Sequence, residues 1–236
     1  MPDTVKLFNK VAEHYDALNT FFSLGMDRLW RKRLSDQIRG AGRVLDIATG
    51  TGEVAIETVR NLKGCRVVGA DPSARMLELA GKKISATGNS GRITLARCGA
   101  EHLPFRDGAF DAVTIAFGIR NTADPSKSLS EMNRVLRPGG RVGIMEFAIP
   151  RNKFFAPVYL FYFRNFLPFI GSLFGTGTEY KYLSESTSAF PQREGFIKLM
   201  EDAGFMTGNP IELMMGIVII YTGAKQMSST DTAHQL

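Results

Sequence analysis

Cysteine, tryptophan and long runs of one residue type are scarce in this sequence. Its 236 residues include two cysteines, Cys65 and Cys98, and one tryptophan. Neither cysteine lies in a CxxC pair or beside clustered histidines, so the sequence predicts neither a disulfide framework nor a zinc site. The amino terminus lacks the basic start and apolar segment of a secretory signal, and we expect a cytoplasmic protein.

Basic residues moderately outnumber acidic residues, but they are not clustered. Lysine and arginine number 29 against 23 acidic residues, which gives a formal net charge of +6. The basic residues are scattered, and no run is long enough to form a nucleic-acid-binding arm. We therefore expect no nucleic-acid partner, although a basic surface favours anionic partners such as an acidic membrane. The sequence leaves the oligomeric state open.

Length and composition fit a single folded domain with a short tail. Hydrophobic residues make up 44% of the chain, which is ordinary for a globular protein. We predict one domain over residues 1–225 and a disordered polar tail over 226–236. The domain is expected to comprise amino-terminal helices (4–39), a ligand-binding core (43–150), an aromatic insertion (151–188) and a carboxyl-terminal helix with strands (190–225).

Within the core, short apolar runs alternate with longer amphipathic stretches, as is typical of parallel βαβ units. The predicted strands are 43–47, 66–70, 93–97, 112–116 and 141–147, followed by runs around 211–214 and 217–222. Gly216 is expected at the turn between the last two, and a helix is expected to begin at Ser184. The pattern predicts a doubly wound α/β fold with a mostly parallel, seven-stranded sheet and a helical insertion near 154–188.

A glycine-rich turn joins the first predicted strand to a helix. Gly50 and Gly52 can adopt backbone angles closed to other residues and leave no Cβ between the chain and a ligand. The second strand is followed by Asp71, whose carboxylate can accept hydrogen bonds from both ribose hydroxyls of a nucleoside. Together they predict a nucleoside site. With Ala55 in its last place, the turn also satisfies the looser dinucleotide fingerprint, so an NAD-binding oxidoreductase is an alternative.

Three further features bear on the choice of cofactor: Asp46 ahead of the glycines, residues 100–105 and residues 137–140. They resemble the class I methyltransferase pattern, which implies a Rossmann-like fold and S-adenosylmethionine as the cofactor. The implied cofactor contacts are Asp46, Gly50, Thr51, Gly52, Asp71, Gly99 and Ala100. Many such enzymes have Asp or Asn where Gly99 stands, so backbone atoms or water must meet the adenine amino group.

Several separated sequence runs are typical of one particular family of methyltransferases. They are residues 15–19, 23–25 and 30–31, residues 117–121, and residues 180–183 with 185–186. From about Val5 to Lys225 the chain resembles the ubiquinone and menaquinone biosynthesis C-methyltransferases of the UbiE type. The resemblance implies methyl transfer to a ring carbon of a polyprenylated quinol precursor without a metal ion, with benzoquinol and naphthoquinol acceptors both open. A methyltransferase for another small hydrophobic acceptor is the alternative. Ala116 stands where the family often has Ser, so we expect no cofactor contact there.

Candidate catalytic residues follow the fourth predicted strand, where ligands bind in α/β folds. We expect Arg120 and Asn121 to stabilise the developing phenolate of the acceptor by hydrogen bonding. The alternative for Arg120 is a surface arginine in a salt bridge. Tyr15, on the predicted amino-terminal helix, is a further candidate that could lie over the site, or else an ordinary core aromatic.

Residues 154–174 form an aromatic stretch. Arg164, Asn165 and two prolines within it argue against a membrane-spanning helix. We expect the stretch to cover an isoprenoid tail or to touch the inner face of the membrane peripherally, because exposed apolar patches usually bind something. The alternative is a buried pair of helices.

Overall fold

The computed structural model describes residues 12, 16, 20 and 23 and the two stretches 25–161 and 177–227. Tyr15 and most of the predicted first helix lie outside the described residues. So do residues 162–176 of the aromatic stretch and residues 228–236 of the tail.

The described residues form eight strands and seven α-helices. The strands are β1 Arg43–Ile47, β2 Arg66–Asp71, β3 Ile93–Arg97, β4 Phe110–Ala116, β5 Leu136–Phe147, β6 Phe205–Thr207, β7 Ile211–Leu213 and β8 Val218–Lys225. The helices are α1 Asp27–Asp36, α2 Glu53–Asn61, α3 Ala74–Ala86, α4 Pro125–Val135, α5 Phe155–Phe161, α6 Gly177–Ala189 and α7 Glu194–Asp202. Short 3₁₀ turns occur at Ile119–Asn121 and Met214–Gly216.

Local capping fixes the starts of two helices that follow strands. The Ser73 hydroxyl accepts a hydrogen bond from the Met76 backbone N–H at 3.0 Å, at the start of α3. The Asp124 carboxylate accepts one from the Lys127 N–H at 3.0 Å, at the start of α4. Pro125 occupies the first helical position, where a missing N–H costs nothing. These polar caps end the preceding loops at defined residues.

All strands belong to one sheet with the order β3-β2-β1-β4-β5-β8-β6, and β7 also pairs with β8. Strands β1 to β5 are parallel to one another, and β8 runs antiparallel to β5, β6 and β7. The prediction of a doubly wound, mostly parallel sheet is confirmed. The strand order reverses between β1 and β4, and ligands bind at the carboxyl ends of such a switch point.

Helices cover both faces of the parallel strands. On β1, Val44 belongs to one buried cluster with Val59 of α2, and Leu45 belongs to another with Leu129 of α4. Because neighbours along a strand point to opposite faces, the sheet is buried between two layers of helices. Burial on both faces explains why the core strands are nearly continuous apolar runs.

Some predicted boundaries were wrong. Strand β5 begins at Leu136 rather than at residue 141, because Leu136 pairs with Phe110 before a register shift. Strand β6 was not predicted, since three residues are too few to show an alternating pattern. Helix α6 begins at Gly177, not at Ser184: the side chain of Ser184 is buried within the helix instead of capping its start. Gly216 does lie at the turn before β8, with a φ of +87°.

Helix α5 contains the described part of the aromatic stretch. Tyr159 is buried against Phe155, Leu183 and Ile217, whereas Phe154 and Phe161 are 91% and 70% exposed. Within 25–161 and 177–227, no helix has both the length and the apolarity needed to span a bilayer.

Candidate active site

The glycine turn lies at the carboxyl end of β1, beside the switch point. Gly50 and Gly52 have φ values of +55° and +84°, which favour glycine. A Cβ added to Gly50 would meet nothing within 4 Å. The Gly52 N–H donates to the Thr49 carbonyl at 2.9 Å, and α2 follows directly. The turn therefore presents bare backbone and the amino terminus of a helix to any ligand above it.

Asp71, at the end of β2, is in direct contact with this turn. Its Oδ2 accepts a hydrogen bond from the Gly50 N–H at 2.9 Å, and its Oδ1 accepts one from the Ser73 N–H at 2.8 Å. Burial raises the pKa of Asp71 above its usual range, although these two N–H donors act against the rise. Each carboxylate oxygen has a further lone pair. Asp71 can therefore accept two more hydrogen bonds from a ligand.

Asp46 lies beneath the turn and is only 1% exposed. The hydroxyls of Thr49 and Thr114 donate to its two oxygens at 2.6 and 2.8 Å. Burial raises the pKa of Asp46 to about 7, against the opposing effect of the two threonine hydroxyls. Both carboxylate oxygens are therefore bound inside the protein, and Asp46 supports the turn from below.

Gly99 and Ala100 begin the loop after β3, and a carboxylate in this loop is hydrogen-bonded to the loop after the 119–121 turn. The Oε1 of Glu101 accepts a hydrogen bond from the Ala123 N–H at 2.7 Å. A Cβ on Gly99 would lie 3.1 Å from the Oε2 of Glu101. Ala100 is buried. The sequence assigned no role to Glu101, but it joins the loops after β3 and after the 119–121 turn.

The carboxyl ends of β1 and β4 meet at Ala48 and Gly118. Both Ala48 and Phe117 have positive φ values, +50° and +55°, which are uncommon for residues with a Cβ. A Cβ on Gly118 would lie 2.6 Å from the Cβ of Ala48, closer than real Cβ contacts. Glycine is therefore required at 118 for the two strand ends to approach. Such backbone strain clusters at functional sites.

Arg120 lies two residues after Gly118 and forms a buried ion pair with Glu146 of β5. The two side chains are 5% and 2% exposed. The Arg120 Nη1 also donates to the Phe117 carbonyl at 2.9 Å, and the guanidinium lies over the Phe147 ring, 5.7 Å from its centroid. Burial raises the pKa of Glu146, and the charge of Arg120 opposes the rise. The alternative for Arg120 was a surface arginine in a salt bridge. The salt bridge is present, but the side chain is buried and not at the surface.

Asn121 shares the Phe117 carbonyl with Arg120. Its Nδ2 donates to that oxygen at 3.1 Å, and its Oδ1 accepts from the Tyr182 hydroxyl at 3.1 Å. Tyr182 belongs to α6, so the carboxyl-terminal half of the insertion reaches the end of β4. The structure thus brings Arg120 and Asn121 together at the edge where the glycine turn lies.

Asp16, from the amino-terminal part of the chain, is hydrogen-bonded to the glycine turn. The Thr51 hydroxyl donates to the Oδ1 of Asp16 at 2.6 Å. Asp16 also forms an ion pair with Lys83 of α3, whose Nζ donates to the Oε1 of Glu53 at 2.7 Å. Thr51, predicted as a cofactor contact, is therefore bonded to the amino-terminal segment in this structure.

Comparison with known proteins decides the family. The model of the ubiE/COQ5 methyltransferase family matches residues 3–225. The chain belongs to this family. A relative from Geobacter sulfurreducens, the ubiquinone/menaquinone biosynthesis C-methyltransferase UbiE, is 46% identical over 93% of this chain and 87% of its own length. The demethylmenaquinone methyltransferase of Thermus thermophilus is 44% identical over 92% of this chain and 99% of its own.

A solved structure shows the same fold. It is a methyltransferase from Thermotoga maritima, described as S-adenosylmethionine-dependent and as a possible histamine N-methyltransferase. It has 20% sequence identity and a TM-score of 0.66, and the match covers 94% of this chain and 99% of that one. Membership of the ubiE/COQ5 family implies S-adenosylmethionine as the cofactor and sets aside the NAD-binding oxidoreductase.

Three site residues that had no assigned role lie inside the runs that carried the family resemblance. Asp16 lies in 15–19, Gly118 in 117–121 and Tyr182 in 180–183. Their motifs were therefore visible in the sequence. What the sequence does not show is that Asp16, Gly118 and Tyr182 all lie at the carboxyl edge of β1 and β4.

Proposed function

We propose that this chain transfers a methyl group from S-adenosylmethionine to a ring carbon of a polyprenylated quinol precursor. The acceptor is demethylmenaquinol, the corresponding benzoquinol of the ubiquinone pathway, or both. The observation that carries this proposal is the family match over residues 3–225, which includes the glycine turn, Asp71 and the Arg120–Asn121 turn. Relatives named for these reactions align with more than nine-tenths of the chain.

The switch-point residues fit this cofactor. The open backbone at Gly50 can lie against the methionine portion, and the spare lone pairs of Asp71 can hold the ribose hydroxyls. Gly99 and Ala100 would line the adenine, and Thr51 and Gly52 complete the turn. Asp46 takes part indirectly, through Thr49. The cofactor supplies a methyl group on a positively charged sulfur.

We further propose that Arg120 and Asn121 stabilise negative charge on the acceptor oxygen. A quinol ring carbon becomes a better nucleophile as its phenolic proton is lost, and preorganised donors stabilise the phenolate that develops. The guanidinium of Arg120 carries only N–H donors. Its Nε is buried and has no hydrogen-bond partner among the described residues. That N–H and the second hydrogen of the Asn121 Nδ2 are the donors that we propose for the acceptor oxygen.

The proposed role of Arg120 is tested by Arg120→Ala. Loss of one donor at a developing oxyanion typically lowers kcat by about 10²–10³-fold, and binding of S-adenosylhomocysteine should be unchanged. Because the variant leaves Glu146 buried and unpaired, the double variant Arg120→Met, Glu146→Gln is measured beside it. A folded double variant that retains full turnover would contradict the role.

Tyr15 is proposed to lie over the site. Its neighbour Asp16 is hydrogen-bonded to Thr51 of the glycine turn at 2.6 Å, which supports this proposal. Tyr15→Phe tests whether its hydroxyl contributes, since a lower kcat with unchanged cofactor affinity is the expected result. Equal turnover of the variant and the wild type would remove Tyr15 from the site.

We also propose that residues 154–174 touch the inner face of the membrane, where a lipophilic quinol resides. The exposed rings of Phe154, just before α5, and of Phe161, at the end of α5, support this proposal. In liposome flotation, the wild type should rise with vesicles, and the variant Phe154→Ser, Phe161→Ser should remain below. Vesicles that bind neither protein, with or without quinol, would rule out the contact.

The acceptor class is tested by incubating the protein with S-adenosylmethionine and either demethylmenaquinol or the benzoquinol precursor. Methylation of one or both identifies the class. Methylation of neither, by a protein that binds S-adenosylhomocysteine in calorimetry, would favour a methyltransferase for another hydrophobic acceptor.

A further inference from the structure

Among the described residues of the insertion, Tyr182 forms a side-chain hydrogen bond to the 119–121 turn. This turn contains the predicted catalytic residues. The Tyr182 hydroxyl lies 3.1 Å from the Oδ1 of Asn121, although the two residues are 61 positions apart. Leu183, next to Tyr182, packs with Tyr159 of α5. The contact therefore links the aromatic insertion to the end of β4.

The chemistry of the Phe117 carbonyl fixes the orientation of the Asn121 amide. A carbonyl oxygen can only accept, so the amide edge that faces it at 3.1 Å must be Nδ2. The opposite edge, facing Tyr182, is then Oδ1, which can only accept. Tyr182 must therefore be the donor. Between them, the two contacts hold the amide in one of its two flipped orientations.

The surroundings of Tyr182 keep its hydroxyl in the form that donates. Burial raises the pKa of Tyr182 above its usual range, and the nearby charge of Arg120 lowers it by less. The phenol is therefore neutral at working pH. With one Nδ2 hydrogen bound to the Phe117 carbonyl, Asn121 retains its other Nδ2 hydrogen for a ligand.

We propose that Tyr182 is a positioning residue for methyl transfer, which acts by holding the Asn121 amide so that its free N–H meets the acceptor oxygen. The proposal rests on the function proposed above for Arg120 and Asn121. It assigns to helix α6 a part in catalysis beyond covering the site. Without the Tyr182 hydroxyl, the amide of Asn121 loses one of the two contacts that hold it in place, although the Phe117 carbonyl still determines which edge is Nδ2.

The kinetic test is a double-mutant cycle between Tyr182→Phe and Asn121→Ala. Tyr182→Phe should lower kcat by about tenfold, the cost of one hydrogen bond, and leave the affinity for S-adenosylhomocysteine unchanged. In the Asn121→Ala background, the same change should cost nothing further, because Tyr182 acts through Asn121. Equal losses in both backgrounds, or an unchanged kcat for Tyr182→Phe, would overturn the proposal.

Ser188→Ala is the matched control on the same helix. The Ser188 hydroxyl donates to the Ser184 carbonyl at 2.9 Å, within α6 and away from the site. Its removal perturbs the helix without touching Asn121, so kcat should match that of the wild type. A loss as large as that of Tyr182→Phe would show that any disturbance of α6 lowers turnover, which would overturn the specific role of Tyr182.

A second readout needs neither cofactor nor acceptor. In ¹⁵N-labelled protein, the side-chain NH₂ signals of Asn121, assigned by their loss in Asn121→Ala, should shift and exchange faster with solvent in Tyr182→Phe but not in Ser188→Ala. Unchanged signals in Tyr182→Phe would overturn the proposal. This result stands even if the wild type methylates neither quinol, so failure of the proposed function is distinguished from failure of the role of Tyr182.

Discussion

Replacing Asp46 by asparagine should change how the stability of this protein depends on pH. Asp46 is buried beneath the glycine turn, and burial raises its pKa from 3.8 to about 7. Asparagine has nearly the same shape and cannot ionise. Its amide can still bond the hydroxyls of Thr49 and Thr114, because a hydroxyl both donates and accepts.

The sign follows from proton linkage. Between about pH 4 and pH 7, the folded protein keeps the Asp46 proton and the unfolded chain has lost it. The folded state therefore binds more protons, and its stability falls as pH rises through this window. Each pKa unit corresponds to about 1.4 kcal/mol. Two units, from pH 5 to pH 7, give a loss of about 3 kcal/mol in the wild type that Asp46→Asn avoids.

The measurement is urea denaturation of both proteins at pH 5, 6, 7 and 8 at constant ionic strength. The free energy of unfolding of Asp46→Asn, relative to the wild type, should rise by about 3 kcal/mol from pH 5 to pH 8. Other titrating groups affect both proteins and largely cancel in the difference. Parallel curves for the two proteins would refute the reasoning.

Asp36→Asn is the control, because the pKa of Asp36 is lowered in the folded protein, whereas that of Asp46 is raised. The hydrogen bond from Asn61 is the main reason that the pKa of Asp36 lies below 3.8. Asp36 is therefore ionised in both folded and unfolded chains from pH 5 to pH 8. The stability difference between this variant and the wild type should be constant over that range.

Two further predictions concern the edge of the sheet where the ligand is expected. Gly118→Ala would place a Cβ 2.6 Å from that of Ala48, so we expect a stability loss of about 1–3 kcal/mol and weaker binding of S-adenosylhomocysteine in calorimetry. Gly91→Ala is the control, since a Cβ there meets nothing within 4 Å, and it should bind S-adenosylhomocysteine normally. Equal affinities of the wild type, Gly118→Ala and Gly91→Ala would contradict the packing argument. Asp16→Asn weakens the acceptor of the Thr51 hydroxyl and should lower that affinity by about fivefold, the worth of about 1 kcal/mol. An unchanged affinity would mean that the amino-terminal segment does not support the turn.

The parallel core was predictable because its signals are local. Strands 43–47 and 93–97 have the predicted bounds. Strand 43–47 is buried along most of its length, and such parallel strands are short apolar runs that polar loop residues end. Gly50 and Asp71 were predicted to share a site, because the carboxyl ends of neighbouring parallel strands share one edge. Here the two residues are hydrogen-bonded.

Long-range side-chain contacts were not predictable in this way. The bonds from Thr51 to Asp16 and from Tyr182 to Asn121 span 35 and 61 positions, and no local pattern encodes such distances. The burial of Arg120 was also missed, because an arginine in a loop resembles a surface residue until its partner on another strand is known.

Other expectations stay predictions. The domain boundaries belong to this group, as do the individual cofactor contacts and the place of Tyr15. The liposome and variant experiments above address the insertion and Tyr15 directly.

The most direct test of the central claim uses S-adenosylmethionine with a deuterated methyl group and demethylmenaquinol, with the product identified by mass and by NMR. The prediction is one deuterated methyl on a ring carbon, with one S-adenosylhomocysteine released per product. A methyl group on a quinol oxygen, or cofactor binding without transfer to this quinol or to the benzoquinol precursor, would contradict ring-carbon methylation of a quinone precursor.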